Sequence, residues 1–218
     1  MLSKDGIHES TVDIWETSKE HNMTPARFVN WVFEAAGTLR AENGNSKICI
    51  IVDNAPWHNE LTEETKMPKR AWVKAQVVQW LNDHQVPYLD IYTKAELLEL
   101  ADAYAPKKAF KTDVAAAKFD VDISRLPVRH CVLNPIELAW AEMKTFVRNN
   151  NVTFKLKDVS VWAKARLTAC DMQMASSFIE HTIKYEETFK RADAISDERD
   201  NDIIEDDVQS ESETEDAD

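Results

Sequence analysis

Two carboxylates, Asp53 and Glu137, sit in segments whose surroundings suit chemistry. Asp53 directly follows an unbroken apolar run, Ile48-Cys-Ile-Ile-Val52, and Glu137 closes Asn134-Pro-Ile-Glu137 at the start of a helical pattern. Converging carboxylates attract hard divalent cations such as Mg²⁺, which take oxygen ligands. Two such ions about 4 Å apart clamp the attacking and leaving oxygens of a phosphodiester. The residues are 84 positions apart (137 minus 53), so only the fold can bring them together. Each also has a simpler explanation. Asp favours turns, which suits Asp53. Asn134 as N-cap, Pro135 at the first helical position and Glu137 at the third form a capping box. His58, His130 and Arg129 lie close by in sequence. A histidine there either assists phosphate contact or proton transfer, or hydrogen-bonds its own loop. Arg129 suits a phosphate or a neighbouring acid equally. Trp57 and Trp140 read as packing residues.

The elements that must position these groups follow from periodicity. The run 48–52 reads as a strand buried on both faces, as in a parallel sheet, and Pro56 stops it. Open α/β sheets hold ligands at the carboxyl ends of such strands. Upstream, Thr11-Val-Asp-Ile-Trp-Glu16 alternates like a half-buried strand. Thr24 and Pro25 then start a helix with Phe28, Val29, Val32, Phe33 and Ala36 on its apolar stripe. Glu42-Asn-Gly-Asn-Ser46 ends it. Strand, helix and strand in this order predict a crossover and an α/β domain.

Downstream, 59–68 reads as a surface loop and 71–84 as a helix carrying Val73, Val77, Trp80 and Leu81. The extended piece 86–92 leads to a capping box, Thr93-Lys-Ala-Glu96, and a second helix ending before Pro106. This helix–extension–helix unit, about 70–108, is an insert between core elements. Val121-Asp-Ile-Ser-Arg-Leu126 alternates as a strand. Helices follow from Asn134 to about Asn149, with Ile136, Trp140, Met143 and Val147 facing inward, and over roughly 156–169 and 172–192.

Composition narrows the function classes. The chain of 218 residues carries seven Trp and eight Phe, enough for a packed interior. No apolar run approaches the roughly 18 residues of a membrane span, and no secretory signal is visible. Cys49, Cys131 and Cys170 are scattered, which argues against a disulfide framework or zinc knuckle and fits a reducing compartment. The net charge of −13 is a property of one end. Residues 193–218 hold thirteen acids and one base, Arg199, or −12, leaving 26 acids and 25 bases, or −1, in residues 1–192. The acidic, aromatic-free end is expected to be disordered. Ser196, Ser210 and Ser212 precede acids there and have the composition of phosphorylation sites. Between Lys66 and Lys118, nine bases face six acids, a modest excess that suits phosphate contact or a solvated mixed-charge surface.

Val52-Asp-Asn-Ala-Pro-Trp-His58, followed by Leu126-Pro-Val-Arg-His-Cys-Val-Leu-Asn-Pro-Ile-Glu-Leu-Ala-Trp140, resembles the catalytic signature of the mariner superfamily of DDE transposases. The resemblance covers roughly residues 10 to 190. It implies a ribonuclease H-like mixed sheet with flanking helices, an inserted helical pair and a helical carboxyl end over residues 1–192. It makes Asp53 the second and Glu137 the third catalytic carboxylate, both ligands of Mg²⁺ or Mn²⁺, with His58, His130 and Arg129 as accessory residues. It implies DNA cleavage and joining, with DNA as partner, either transposon ends or nonspecific DNA. The region Trp80–Leu100 is similar to an insert of some eukaryotic branches, and also to small helix–extension–helix DNA-binding motifs. Two departures stand out. The 84-position interval is longer than in compact members, and no residue matches the family's first catalytic Asp, since Asp5 and Asp13 are too close to Asp53. The expectation is therefore an amino-terminally truncated, catalytically incomplete copy, nuclear or cytoplasmic, with weak metal binding. The alternative is a non-catalytic module that binds DNA or protein through the insert or the acidic tail.

Overall fold

The structure, a computed structural model, describes residues 1–18, 22–153 and 155–212, with side chains as far as Ile195. In chain order the elements are β1 (Leu2–Ser3), β2 (Gly6–Ile7), α1 (Pro25–Asn43), β3 (Ile48–Val52), α2 (Lys74–Asp83), α3 (Lys94–Ala103), α4 (Lys111–Ala117), β4 (Val121–Arg125), α5 (Ile136–Asn150), α6 (Leu156–Thr168) and α7 (Met172–Ser212), with short 3₁₀ turns between. The class is mixed α/β, dominated by helix. The chain divides into two compact units where the sequence suggested one body: Asn22–Arg125, and Met1–His21 with Leu126–Asp218.

The first unit is built on α1 and a pair of strands. Thr24 caps α1 by accepting from the Arg27 amide at 3.2 Å, and Pro25 opens it. Phe28, Val32, Ala35, Ala36 and Leu39 are buried, close to the expected stripe, whereas Phe33 is partly exposed and meets the Phe119 edge at 4.8 Å. β3 and β4 pair in parallel, with Ile48 opposite Val121 and Val52 opposite Arg125. The expected double burial of β3 does not hold. Ile50 and Val52 are buried, but Cys49 is exposed and Ile51 is 57% exposed. Among the described residues this sheet has two strands, and α1 and α4 supply its cover.

Arg40 fixes the start of the strand pair. Its guanidinium donates to the Ser46 and Phe119 carbonyls, each at 2.8 Å, and to the Asp120 carbonyl, so it ties the turns that feed β3 and β4. The insert forms its own core, with Val77, Trp80 and Leu81 of α2 against Val86, Leu97 and Ala101. The Trp80 indole donates to the Lys66 carbonyl at 2.8 Å, which moors the preceding loop.

In the second unit, β1 and β2 form a hairpin whose Leu2 and Ile7 pack against the cluster of Ala139, Cys170, Ala175 and Phe178. The strand expected over 11–16 is absent. The Thr11 and Val12 amides instead donate to the His8 and Glu9 carbonyls at 3.0 and 3.1 Å, closing a tight 3₁₀ turn that leaves no ladder. α5 begins at Ile136 with Pro135 as its cap residue, and no side chain caps it. The expected Asn134 capping box is therefore corrected: Asn134 ends the preceding 3₁₀ turn, and its geometry is taken by that turn. Helix α7 spans Met172–Ser212, and residues 213–218 lie outside the described residues. No helix among the described residues is long and apolar enough to cross a membrane.

The α3 capping box is formed as expected, with Glu96 Oε2 accepting from the Thr93 amide at 2.7 Å. That bond holds the Glu96 carboxyl below its usual value of 4.5. A carboxyl lowered in the folded state contributes above its unfolded value and loses that contribution as pH falls through the lowered one. Thr93→Ala is expected to cost about 1 kcal/mol in urea denaturation at neutral pH. The Glu96→Gln penalty is expected to vanish on acidification well below pH 4.5. A Glu96→Gln penalty that persists there would contradict this capping account.

Candidate functional site

Asp53 is the first residue beyond β3, at its carboxyl end. Its carboxylate folds back over the turn that Pro56–His58 makes. Oδ1 accepts from the Ala55 amide at 3.0 Å and lies 2.7 Å from His58 Nδ1. The same nitrogen is 3.0 Å from the Asp53 carbonyl oxygen. Both neighbours can only accept, so Nδ1 carries a proton, and the neutral ring has its lone pair on Nε2. The imidazole lies against the Phe28 ring of α1, 4.0 Å between centroids, and its side chain is 12% exposed, against 37% for Asp53. Asp53 and His58 thus form a carboxylate–imidazole pair. The two readings of His58 coincide, because the loop bond it makes is the bond to the candidate carboxylate.

A residue the sequence reading passed over holds this turn in place. Arg125 ends β4 opposite Val52, next to Asp53 in the register. Nε donates to Asn59 Oδ1 at 2.6 Å. Nη2 donates to the His58 carbonyl at 3.2 Å and to Thr112 Oγ1 at 2.8 Å. Nη1 and Nη2 also reach the two Asp113 oxygens, at 3.1 and 2.8 Å. The guanidinium lies 4.0 Å from the Phe110 ring centre. Such a fork uses arginine's planar donors as lysine could not. The signal was in the sequence. The alternation that places Val121 and Ile123 inward also turns Arg125 inward, and a charge on the covered face of a strand demands partners.

The remaining candidates belong to the other unit. Glu137 is exposed in the first turn of α5, where its amide donates to the Asn134 carbonyl at 3.1 Å. With the capping box gone, the local role left to its carboxylate is that of an acid in the first turn, favoured by the helix dipole. Arg129 is exposed, with φ +67, at the third position of a turn closed by the His130 amide and the Pro127 carbonyl at 3.2 Å. That conformation belongs to a type II turn and is strained for a residue with a Cβ. His130 Nδ1 approaches the Val128 carbonyl at 2.8 Å, and its ring meets the Phe189 edge at 4.9 Å. Trp57 is 37% exposed, so it is not the packing residue expected, whereas Trp140 is partly buried.

The donor chemistry of Asp53 suits one oxygen ligand of a divalent ion. Both of its contacts fall on Oδ1, and the group reaches solvent. Among the described residues, no group of three or more His, Cys, Asp or Glu is gathered as a metal cluster. Asp53 and His58 are brought together in the first unit, and Glu137, His130 and Arg129 belong to the second. No family model, no curated protein and no solved structure matches the chain.

Replacing Arg125 by Met removes donors from Asn59, Thr112 and the His58 carbonyl, and leaves Asp113 with the Thr112 hydroxyl but without the guanidinium it pairs with. The expected loss is about 2–4 kcal/mol by chemical denaturation, with Arg125→Lys recovering less than half. A loss below about 0.5 kcal/mol, the range of ordinary surface changes, would contradict the role given to Arg125.

Proposed function

We propose that the chain is a catalytic-domain fragment of a DDE-type transposase, similar to the mariner superfamily, with a ribonuclease H-like ancestry. The observation that carries this reading is the position of Asp53. It ends a strand paired in parallel, within Val52-Asp-Asn-Ala-Pro-Trp-His58, and a histidine of the same motif orients it. Glu137 supports it from the second motif, as an exposed carboxylate without a capping role. In this reading Asp53 and Glu137 hold Mg²⁺ or Mn²⁺, which would stabilise charge on the oxygens of a phosphodiester. His58 orients Asp53 through Nδ1, and His130 and Arg129 serve as accessory phosphate contacts. Two of the family's three acidic positions are matched, so metal binding is weak and cutting by this chain alone is at background level. DNA is the partner, met in the nucleus or the cytoplasm.

A second reading is favoured by the surface of the insert. Val73, Leu89, Ile91 and Tyr104 are 62, 57, 83 and 56% exposed around an otherwise well-formed core. Exposed apolar groups of this kind mark contact surfaces. Here the chain is a non-catalytic module that binds DNA or protein through α2 and α3, and the carboxylates are relics.

Nicking of supercoiled DNA with Mg²⁺ or Mn²⁺, beside salt-dependent DNA binding, separates the two. The transposase reading expects DNA binding strengthened by the metal, an increment lost in Asp53→Asn and in Glu137→Gln, with nicking equal to theirs. Nicking that both substitutions abolish would overturn the claim of inactivity. Binding that ignores both substitutions and the metal, but fails when Leu89 and Ile91 become Asp, would favour the module.

A further inference from the structure

The insert repeats itself. Shifted by 20 positions (92 minus 72), Trp72-Val-Lys-Ala-Gln76 answers to Tyr92-Thr-Lys-Ala-Glu96. The structure repeats with it. Before each helix the chain makes a turn, closed by the Trp72 amide on the Lys69 carbonyl at 2.9 Å and by the Tyr92 amide on the Leu89 carbonyl at 3.0 Å. Gln76 and Glu96 each accept from the amide of the residue that precedes their helix, at 3.0 and 2.7 Å. Val77 and Leu81 in α2, and Leu97 and Ala101 in α3, are then buried at matching positions.

A lysine opens each helix and laces the two turns together. Lys94 Nζ donates to the Arg70 carbonyl at 2.7 Å, and Lys74 Nζ to the Tyr92 carbonyl. Both turns, and the starts of both helices, therefore lie at one end of the insert. A cation at the start of a helix opposes its dipole, so positive charge is gathered here at a cost in stability. Segments 69–74 and 89–94 hold Lys69, Arg70, Lys74 and Lys94 against one acid, Asp90, or +3. Several other bases of this unit are neutralised: Lys66 by Glu63, Lys111 by Glu60, Arg125 by Asp113. Among the described residues, none of the four at this end pairs with an acid.

Aliphatic side chains stand among these bases. Val73 and Leu89 are exposed, and Ile91, inside the turn that the Tyr92 amide closes, is 83% exposed. A side chain so bare projects from the surface and lines no groove of its own. A projecting end fits a concave partner, and a repeated set of bases fits a repeated anion. The major groove of duplex DNA is both. It is about 12 Å wide, walled by phosphates, and its floor offers apolar contacts such as the thymine methyl. Two turns carried on helices packed about 8–10 Å apart match that width.

We propose that this end of the insert enters the major groove of duplex DNA. Lys69, Arg70, Lys74 and Lys94 meet phosphates, and Leu89 and Ile91 meet sugar and base edges. Lys74 and Lys94 each spend one donor on a carbonyl, which fixes their position and leaves two donors for the ligand. The inference rests on DNA being the partner, and it places the contact on the insert rather than at Asp53 and Glu137.

Anisotropy of a labelled duplex, titrated with the full chain in EDTA over a salt series, tests it. Four phosphate contacts predict a slope of log affinity against log salt of about −3 to −4. Lys69 and Arg70 make no side-chain hydrogen bond among the described residues. Lys69→Gln with Arg70→Gln is therefore expected to reduce the slope by about 2 at an unchanged melting temperature. Lys74→Gln with Lys94→Gln acts alike on the slope, and Lys74→Arg with Lys94→Arg restores it. Ile91→Ser weakens binding severalfold at the same slope. A slope that both glutamine pairs leave unchanged would overturn the placement and keep DNA as the partner. No duplex affinity at all would overturn both. An Ile91→Ser chain that binds as tightly as the parent would overturn the groove contact, and capture by phosphatidylserine vesicles in place of the duplex would give this end to a membrane surface instead.

Discussion

The first unit depends on holding two short parallel strands in register, and a half-buried arginine does this at each end. A two-stranded sheet with one covered face has little hydrophobic burial to fix its pairing. Arg40 ties the turns that lead into β3 and β4, and Arg125 ties the turns that leave them. Arg40 spreads its donors over backbone carbonyls, and Arg125 over the His58 carbonyl and the Asn59, Thr112 and Asp113 side chains, so that neither end can slip without stranding acceptors. The turn that carries Asp53 and His58 inherits its position from the second clamp. Asp53 meets His58, His58 lends its carbonyl to Arg125, and Arg125 is held by Asp113. The candidate carboxylate is thus one half-exposed end of a chain of polar contacts whose middle members, His58 and Arg125, are the more buried ones.

What was legible in the sequence was local. Thr24-Pro25 started a helix, Thr93 and Glu96 closed a capping box, and alternation over 121–125 marked a strand, because each signal lies within a few residues. Pairing was harder. Thr11–Glu16 has the alternation of a strand, but a ladder needs a partner, and the backbone there closes on His8 and Glu9 instead. The double burial expected for 48–52 failed because one apolar run fits both a central and a half-covered strand; Ile51 shows which applies. The seven-residue α4 escaped notice, since its Ala-rich stretch is too short to show a stripe. Asn134-Pro135 has the letters of a cap, but the preceding 3₁₀ turn claims Asn134.

These corrections bear on function in opposite directions. Loss of the Asn134 box leaves Glu137 as an exposed carboxylate at the start of a helix, where the helix dipole favours it. Asp53 and Glu137 belong to different compact units. The Asp53–His58 pair strengthens the local half of the site, since a histidine that fixes one carboxylate oxygen leaves the other directed to a ligand. The transposase reading therefore rests on two halves, each with geometry suited to the role the motifs imply.

Titration of Mn²⁺ into ¹⁵N-labelled protein reads that requirement most directly, because the ion broadens amides near it. The account predicts that amides of Asp53–His58 and of Ile136–Ala139 broaden together, at the same metal concentration, and that Asp53→Asn relieves both. Broadening of one segment alone, or broadening at Glu137 untouched by Asp53→Asn, would mean that the two carboxylates share no cation and would contradict it.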